Sequence, residues 1–230
     1  MSLEEIRSKL RRLEDTICIS LFERSQFKLN SDIYKAGRIN IPNFEGSFFG
    51  YLFSETEKVH ASAGRYVDPE EHPFFIKPGS PLIPRRKDDL EVDPVVNLNK
   101  RVLSEYMTLL PLLCQDGDDN KYGSAAVIDI YCLQALSRRI HIGEQVAEAK
   151  YRDDPKDYDR LIAADDTKGI VDRLRNIAVE KENLKRVKEK SERYNISGEI
   201  ISDFFETFVM PLTIEVEVLY FMNKRKMLED

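Results

Sequence analysis

The step at which apolar residues recur restricts this chain more than any other feature. Leu3, Ile6, Leu10, Leu13, Ile17 and Leu21 follow one another at three- and four-residue intervals, which places them on one face of an α-helix running to about Phe27. Phe48, Phe49, Leu52, Phe53 and Val59 repeat the pattern after Pro42-Asn43, in a helix expected to end near Gly64. It resumes from about Val95 to Cys114, with an interruption expected at Pro111. A very long helix follows from about Ser124 to Arg152, with one glycine, Gly143, and no proline. Asp154 to Asp166 reads as a polar connection with room for a short helix. Gly169 to Tyr194 and Ile200 to Met227 complete the set, the last kinked or restarted at Pro211. No segment alternates with the two-residue period of a strand. Six of the ten prolines, Pro69, Pro73, Pro78, Pro81, Pro84 and Pro94, crowd one stretch and forbid regular helix there, so a long packed loop is expected. The fold expected is all-α: a single-domain helical bundle over residues 1–230, with long helices and a proline-rich internal loop.

In such a bundle the informative residues are polar ones on inward faces, because a buried charge is costly unless something pairs with it. Arg139 and Lys150 are 11 residues apart, which on a helix means within roughly 20° of each other and about 16 Å along the axis. Both fall on the stripe of Ile128, Cys132, Ala135, Leu136, Gly143 and Val146. Two readings fit the pair: internal salt bridges with long side chains reaching outward, or two cations placed to hold the ends of a small dianion. Glu180 shares a face with Ile177, Leu184 and Val187, and Asn176 lies one turn before it. Thr213 and Glu217 are one turn apart beside Phe205, Val209, Leu212, Val216 and Tyr220. Arg7 borders the first helix's inward stripe. Singly each reads as a structural hydrogen bond; together they outline one polar cavity within a bundle.

Other chemistries find little support. A net charge of -6 gives no general attraction to nucleic acid or anionic membrane, and no stretch of about 18 apolar residues reads as a membrane span. Cys18, Cys114 and Cys132 form no CxxC pair and read as small hydrophobes in a reducing compartment, so a cytoplasmic protein is expected. Asp116, Asp118 and Asn120 imitate the start of a calcium loop, but Lys121 stands at its glycine position and Val127 at its glutamate position. His60, His72 and His141 have no ligand spacing, and no glycine motif cradles a phosphate. No metal or cofactor is expected. The basic run from Lys181 to Arg193, interleaved with glutamates, reads as a solvated helix face.

The segment Leu133-Gln-Ala-Leu-Ser-Arg-Arg-Ile-His-Ile-Gly-Glu-Gln-Val-Ala-Glu-Ala-Lys150 closely resembles the core helix of fungal and plant chorismate mutases. So do Ile6-Arg7, Glu14-Asp15-Thr16-Ile17, Glu23-Arg24, Ile41-Pro-Asn-Phe44, His72-Pro-Phe-Phe75, Val179-Glu180 and Pro211-Leu-Thr-Ile-Glu-Val-Glu217, in order over nearly the whole chain. The resemblance implies a cofactor-free isomerase that turns chorismate into prephenate for phenylalanine and tyrosine biosynthesis. It implies that Arg7 and Arg139 bind the substrate's carboxylates and that Lys150 donates to the ether oxygen and a carboxylate. Asn176 and Glu180 would hold the ring hydroxyl, and Thr213 and Glu217 would close the other side, with Glu217 facing the ether oxygen. It further implies a homodimer with a tyrosine or tryptophan effector site that includes Arg65, Gly123 and Ser124. Regulated fungal members carry two adjacent arginines where this chain has Gly64-Arg65, so an effector site that is weakened, altered in specificity or absent is expected. The rival reading is a non-catalytic helical scaffold descended from the enzyme.

Overall fold

Ser2 opens the first helix, α1 (Leu3–Ser25), by a reciprocal cap. Its hydroxyl accepts from the Glu5 backbone N–H, and the Glu5 carboxylate accepts from the Ser2 N–H at 2.6 Å, so two N–H groups otherwise left without partners are satisfied. The computed structural model describes residues 2–82 and 96–229. Among them, nine further helices follow: α2 (Phe48–Ser62), α3 (Asn99–Leu113), α4 (Tyr122–His141), α5 (Gly143–Asp153), α6 (Pro155–Ala163), α7 (Thr167–Leu174), α8 (Ile177–Arg193), α9 (Gly198–Phe204) and α10 (Met210–Glu229). No strand occurs among the described residues; one isolated antiparallel bridge joins Ile41 and Phe44.

The all-α expectation holds, with its boundaries revised. The long helix expected from Ser124 to Arg152 is two helices, α4 and α5, parted at Ile142, whose near-helical backbone (φ -57°, ψ -14°) carries the same direction onward. The helix expected from Gly169 to Tyr194 is likewise two, because Arg175 and Asn176 are extended. Pro111 does not interrupt α3, which runs through it and ends two residues later at Leu113; its ring removes the one backbone bond that its N–H would have made to the preceding turn. Ahead of Pro211 the chain widens into a π-helical turn, Phe205–Val209, which accommodates the proline ring and the backbone bond it cannot make. The loop residues described around Pro69, Pro73, Pro78 and Pro81 are irregular; Pro84, Pro94 and the expected helix start at Val95 lie outside the described residues.

The main core packs α1 against α4 with α2, α3, α9 and α10 around them, and Ile17, Leu21, Phe53, Leu136 and Val209 lie fully buried in it. A second cluster of Tyr158, Ile162, Ile170 and Phe221 ties α6 and α7 onto α10. In the centre, Arg24 donates to Asp129 at 2.8 Å, and Tyr106 and Tyr34 donate to the same carboxylate at 2.7 and 2.5 Å. That network pins α1, α3 and α4 in one register.

Gly143 is required by close approach. A Cβ there would lie 2.8 Å from the Thr213 carbonyl oxygen, 3.3 Å from Val216 Cγ1 and 3.4 Å from Glu217 Cγ. The missing side chain lets α5 touch the turn of α10 that carries Thr213 and Glu217.

Candidate active site

All seven residues expected to act on or bind the substrate line one cavity of about 480 Å³, within the usual range for small-molecule sites. Its walls are α1, α4, α5, α6, α7, α8 and α10. Arg139, near the end of α4, is only 4% exposed. Its Nη1 donates to the Thr213 hydroxyl at 3.3 Å, its Nη2 lies 3.8 Å from Glu14 Oε1, and its Nε has no partner. Thr213 passes its own proton to the Val209 carbonyl at 2.7 Å, which fixes the hydroxyl as an acceptor toward Arg139. Burial weakens the hold of Arg139 on its proton, while Glu14 and Glu217 oppose that effect.

Lys150, three turns further on, donates to the Leu174 carbonyl at 2.7 Å and to Glu217 Oε2 at 3.1 Å. Glu217 is 5% exposed. Removal from water raises its affinity for a proton above the ordinary carboxylate value, against the pull of Lys150 and Arg139 and with a push from Glu180. Since Lys150 engages Oε2, Oε1 is the oxygen free to carry a proton into the cavity.

The remaining expected residues sit at the rim. Arg7 is exposed on α1 and lies 3.7 Å from Glu4. Asn176 is not mid-helix as expected: it is the N-cap of α8, its Oδ1 accepting from the Val179 N–H at 3.2 Å, so its NH₂ is the group left to donate. Glu180 is gripped at both oxygens by Arg175, at 3.1 and 2.6 Å. Ile177, expected on the same inward face, is instead 52% exposed.

Three cavity residues escaped the periodicity argument. Glu14 is 1% exposed and accepts from Arg186 Nε and Nη2 at 3.0 and 2.8 Å. A signal existed, since Glu14 falls on the inward stripe between Leu10 and Ile17. Arg186, placed by sequence on a solvated face, turns inward to that glutamate, and Arg175 lies in a joint read as helix interior.

The presumed effector residues are not gathered into one contact set. Arg65 donates to Glu71 at 2.9 Å and to Gln134 Oε1 at 2.8 Å, whereas Gly123 and Ser124 stand exposed in the first turn of α4, about 16 Å from Gln134 along that helix. Gly64 has a backbone reason to be glycine: it leaves α2 at φ 83°, in the left-handed region. The calcium-like loop is turn chemistry, with Asp118 and Asp119 accepting from backbone N–H groups of their own segment. No cluster of metal-binding side chains occurs among the described residues, and no described helix is long and apolar enough to cross a membrane.

The described residues form an all-helical bundle whose cavity brings the buried Arg139 and the half-buried Lys150 beside the buried Glu217. The chain belongs to the chorismate mutase family. Residues 122–218 match the family described as chorismate mutase type II. The chorismate mutase of Schizosaccharomyces pombe is 40% identical over 97% of this chain and 96% of its own. The solved chloroplast chorismate mutase of Zea mays superposes with a TM-score of 0.91 at 37% identity, covering 97% of this chain and 95% of that one. The Candida albicans enzyme in complex with L-Trp gives 0.91 at 36%, covering 100% and 92%. A further solved relative, at a TM-score of 0.89 and 38% identity over 97% of this chain and 96% of that one, carries tyrosine in an allosteric site.

Proposed function

We propose that this cavity is where the chain, an isomerase, converts chorismate to prephenate. The reaction is an intramolecular [3,3] shift: the ether carbon–oxygen bond breaks as a carbon–carbon bond forms, and no outside nucleophile enters. Two tasks remain for the protein. It must hold the folded diaxial conformer, and it must meet negative charge growing on the ether oxygen. Arg7 and Arg139 are suited to the first task, because a guanidinium grips a carboxylate with paired bonds. Lys150 and a protonated Glu217 are suited to the second, as donors on the oxygen side. Glu180 and the Asn176 amide take the ring hydroxyl, and Thr213 holds Arg139 in place.

The observation that carries this reading is Arg139, buried with an N–H that no group among the described residues accepts, beside the Lys150–Glu217 pair in a cavity of substrate size. A non-catalytic scaffold gives no reason to keep that arrangement. The test is chorismate consumption by the purified, folded chain; a folded protein that leaves chorismate intact would restore the scaffold reading.

The finer expectations are proposals as well. A homodimer is supported by Val127 and Tyr131, one turn apart on α4 and 56% and 54% exposed, and mass measurement in solution tests it. The three cysteines are unpaired and buried, which suits a reducing cytoplasm; fractionation of the source cells tests that. Since Arg65 and Gly123-Ser124 stand apart in one chain, an effector site using both would have to join two copies.

A further inference from the structure

The joint between α7 and α8 sets more than the chain's direction. Leu174 ends α7 and offers its carbonyl to Lys150 at 2.7 Å. Arg175 follows with an extended backbone, φ -74° and ψ 139°, and Asn176 caps α8. The Arg175 guanidinium folds back onto the first turn of α8, its Nε donating to Glu180 Oε1 at 3.1 Å and its Nη2 to Oε2 at 2.6 Å. Both carboxylate oxygens are held by parallel bonds, a geometry that a lysine cannot supply. The Arg175 side chain is 46% exposed and that of Glu180 19%, so the fork closes from the solvent side, and spare lone pairs on both oxygens remain for a ligand in the cavity.

We propose that Arg175 is a positioning residue for the rearrangement, holding Glu180 at the rim in one orientation toward the substrate's ring hydroxyl and away from the inner cations. This rests on the reading of Glu180 as the hydroxyl's partner. The charges in the cavity give the reason. Glu217 already engages Lys150, and Glu14 is shared between Arg139 and Arg186. A third carboxylate on a loose side chain would compete with the substrate's own carboxylates for Lys150 and Arg139. Its uncompensated charge would also repel the dianion as it enters. The charge on Glu180 is felt at Glu217, where it favours the protonated form, and Arg175 partly cancels that influence.

Loss of Arg175 therefore leaves marks that mere loosening of the joint would not. KM should rise, and the defect should shrink as salt screens the repulsion. Glu217 should keep its proton to higher pH, so the alkaline decline in rate should shift upward.

The experiment compares the wild type, Arg175→Ala, Arg175→Lys, Glu180→Gln and the Arg175→Ala/Glu180→Gln double variant. For each, kcat and KM for chorismate are measured from about pH 5 to 9, with folding checked by circular dichroism. Arg175→Ala is expected to raise KM about tenfold, with kcat within about threefold, and to move the alkaline midpoint upward. Arg175→Lys should restore the midpoint but only part of the KM. With Gln at position 180, removing Arg175 should change KM by less than about twofold, since the two residues act as one unit. An equal KM penalty in both backgrounds, or an Arg175→Ala enzyme identical to wild type, would overturn the proposal and leave the site reading standing. A Glu180→Gln enzyme at full efficiency would instead refute the role of Glu180, and this proposal with it.

Discussion

Replacing Gly143 by alanine is the sharpest structural test of how the cavity is set. The added methyl carbon would meet the Thr213 carbonyl oxygen at 2.8 Å, and an ordinary contact begins near 3.4 Å. The obstacle is backbone, not a side chain that can rotate away, so α5 and α10 must separate by about 0.6 Å. Overpacking of this kind costs about 1–3 kcal/mol, which in a domain of this size lowers the melting temperature by roughly 3–10 °C. The separation also acts on the site, because α5 carries Lys150 and α10 carries Glu217, paired at 3.1 Å. Widening that contact by half an ångström or more takes it out of hydrogen-bond range, and small misplacements of reacting groups are steeply penalised. The expected loss in kcat/KM is about ten- to hundredfold, measured by chorismate consumption beside a thermal melt. Gly79→Ala, where an added Cβ meets nothing among the described residues within 4 Å, is the control and should change neither. A folded Gly143→Ala protein with wild-type kcat/KM would show that the spacing of α5 and α10 does not set the catalytic geometry.

Arg139→Ala and Lys150→Ala should each stay folded and lose at least about a hundredfold in kcat/KM, roughly 2.7 kcal/mol of transition-state stabilisation; near-normal turnover would refute their roles. Burial raises the affinity of Glu217 for a proton, and in the proposed site the protonated form is the donor, so efficiency should fall as pH rises from mildly acidic to mildly alkaline. Glu217→Gln, a permanent donor, should stay active and lose most of that decline, and a wild-type profile flat from about pH 5 to 8 would remove Glu217 from the role. His72 and His141 lie with ring centres 4.0 Å apart and planes tilted by 40°, and burial lowers their values to about 4 and about 3 from 6.5. Both are held neutral in the fold, so stability is full above about pH 6.5 and is lost as pH falls; between pH 7 and 5 urea unfolding should show a drop of about 2–4 kcal/mol, and a constant value would show that the pair does not titrate this way. Tyrosine at saturation should change the rate by less than about threefold, given Gly64 beside Arg65; strong saturable inhibition in a direct assay would contradict this.

The residues legible from sequence were those whose helix keeps its twist. Arg139 and Lys150 align across Ile142 because that residue stays near helical geometry, so 11 residues still amount to three turns. Asn176 lies one turn before Glu180 as expected, its carbonyl accepting from the Glu180 N–H at 2.9 Å, but it was misread as helix interior, because two extended residues part α7 from α8 there and no proline or glycine marks the place. Arg186 was hidden by composition: in a run of alternating charges, only the fold reveals which one meets a buried glutamate from another helix. The histidine pair was out of reach for the same reason. His72 and His141 belong to segments 69 residues apart, and they meet because Asn99 Nδ2 donates to the His72 carbonyl at 2.8 Å and the Leu98 N–H donates to His141 Nε2 at 3.0 Å.

The two inner cations are bonded so differently that they point to different tasks. Lys150 has two good acceptors, the Leu174 carbonyl and Glu217, both within 3.1 Å, so its position is fixed by the protein. Arg139 has a single bond to a neutral hydroxyl at 3.3 Å, a contact at 3.8 Å with a carboxylate that Arg186 holds more closely, and a third N–H with no acceptor. A buried guanidinium so weakly bonded carries a desolvation cost that its surroundings do not offset. In the proposed site a substrate carboxylate that accepts from it would remove that cost on binding, and Arg139 would be the residue through which affinity for the dianion is gained. In the same proposal Lys150 and Glu217 would gain less from ground-state binding, since Lys150 already donates to Glu217. Their contribution grows only when an oxygen between them becomes more basic, and for the proposed rearrangement that moment is the breaking of the ether bond.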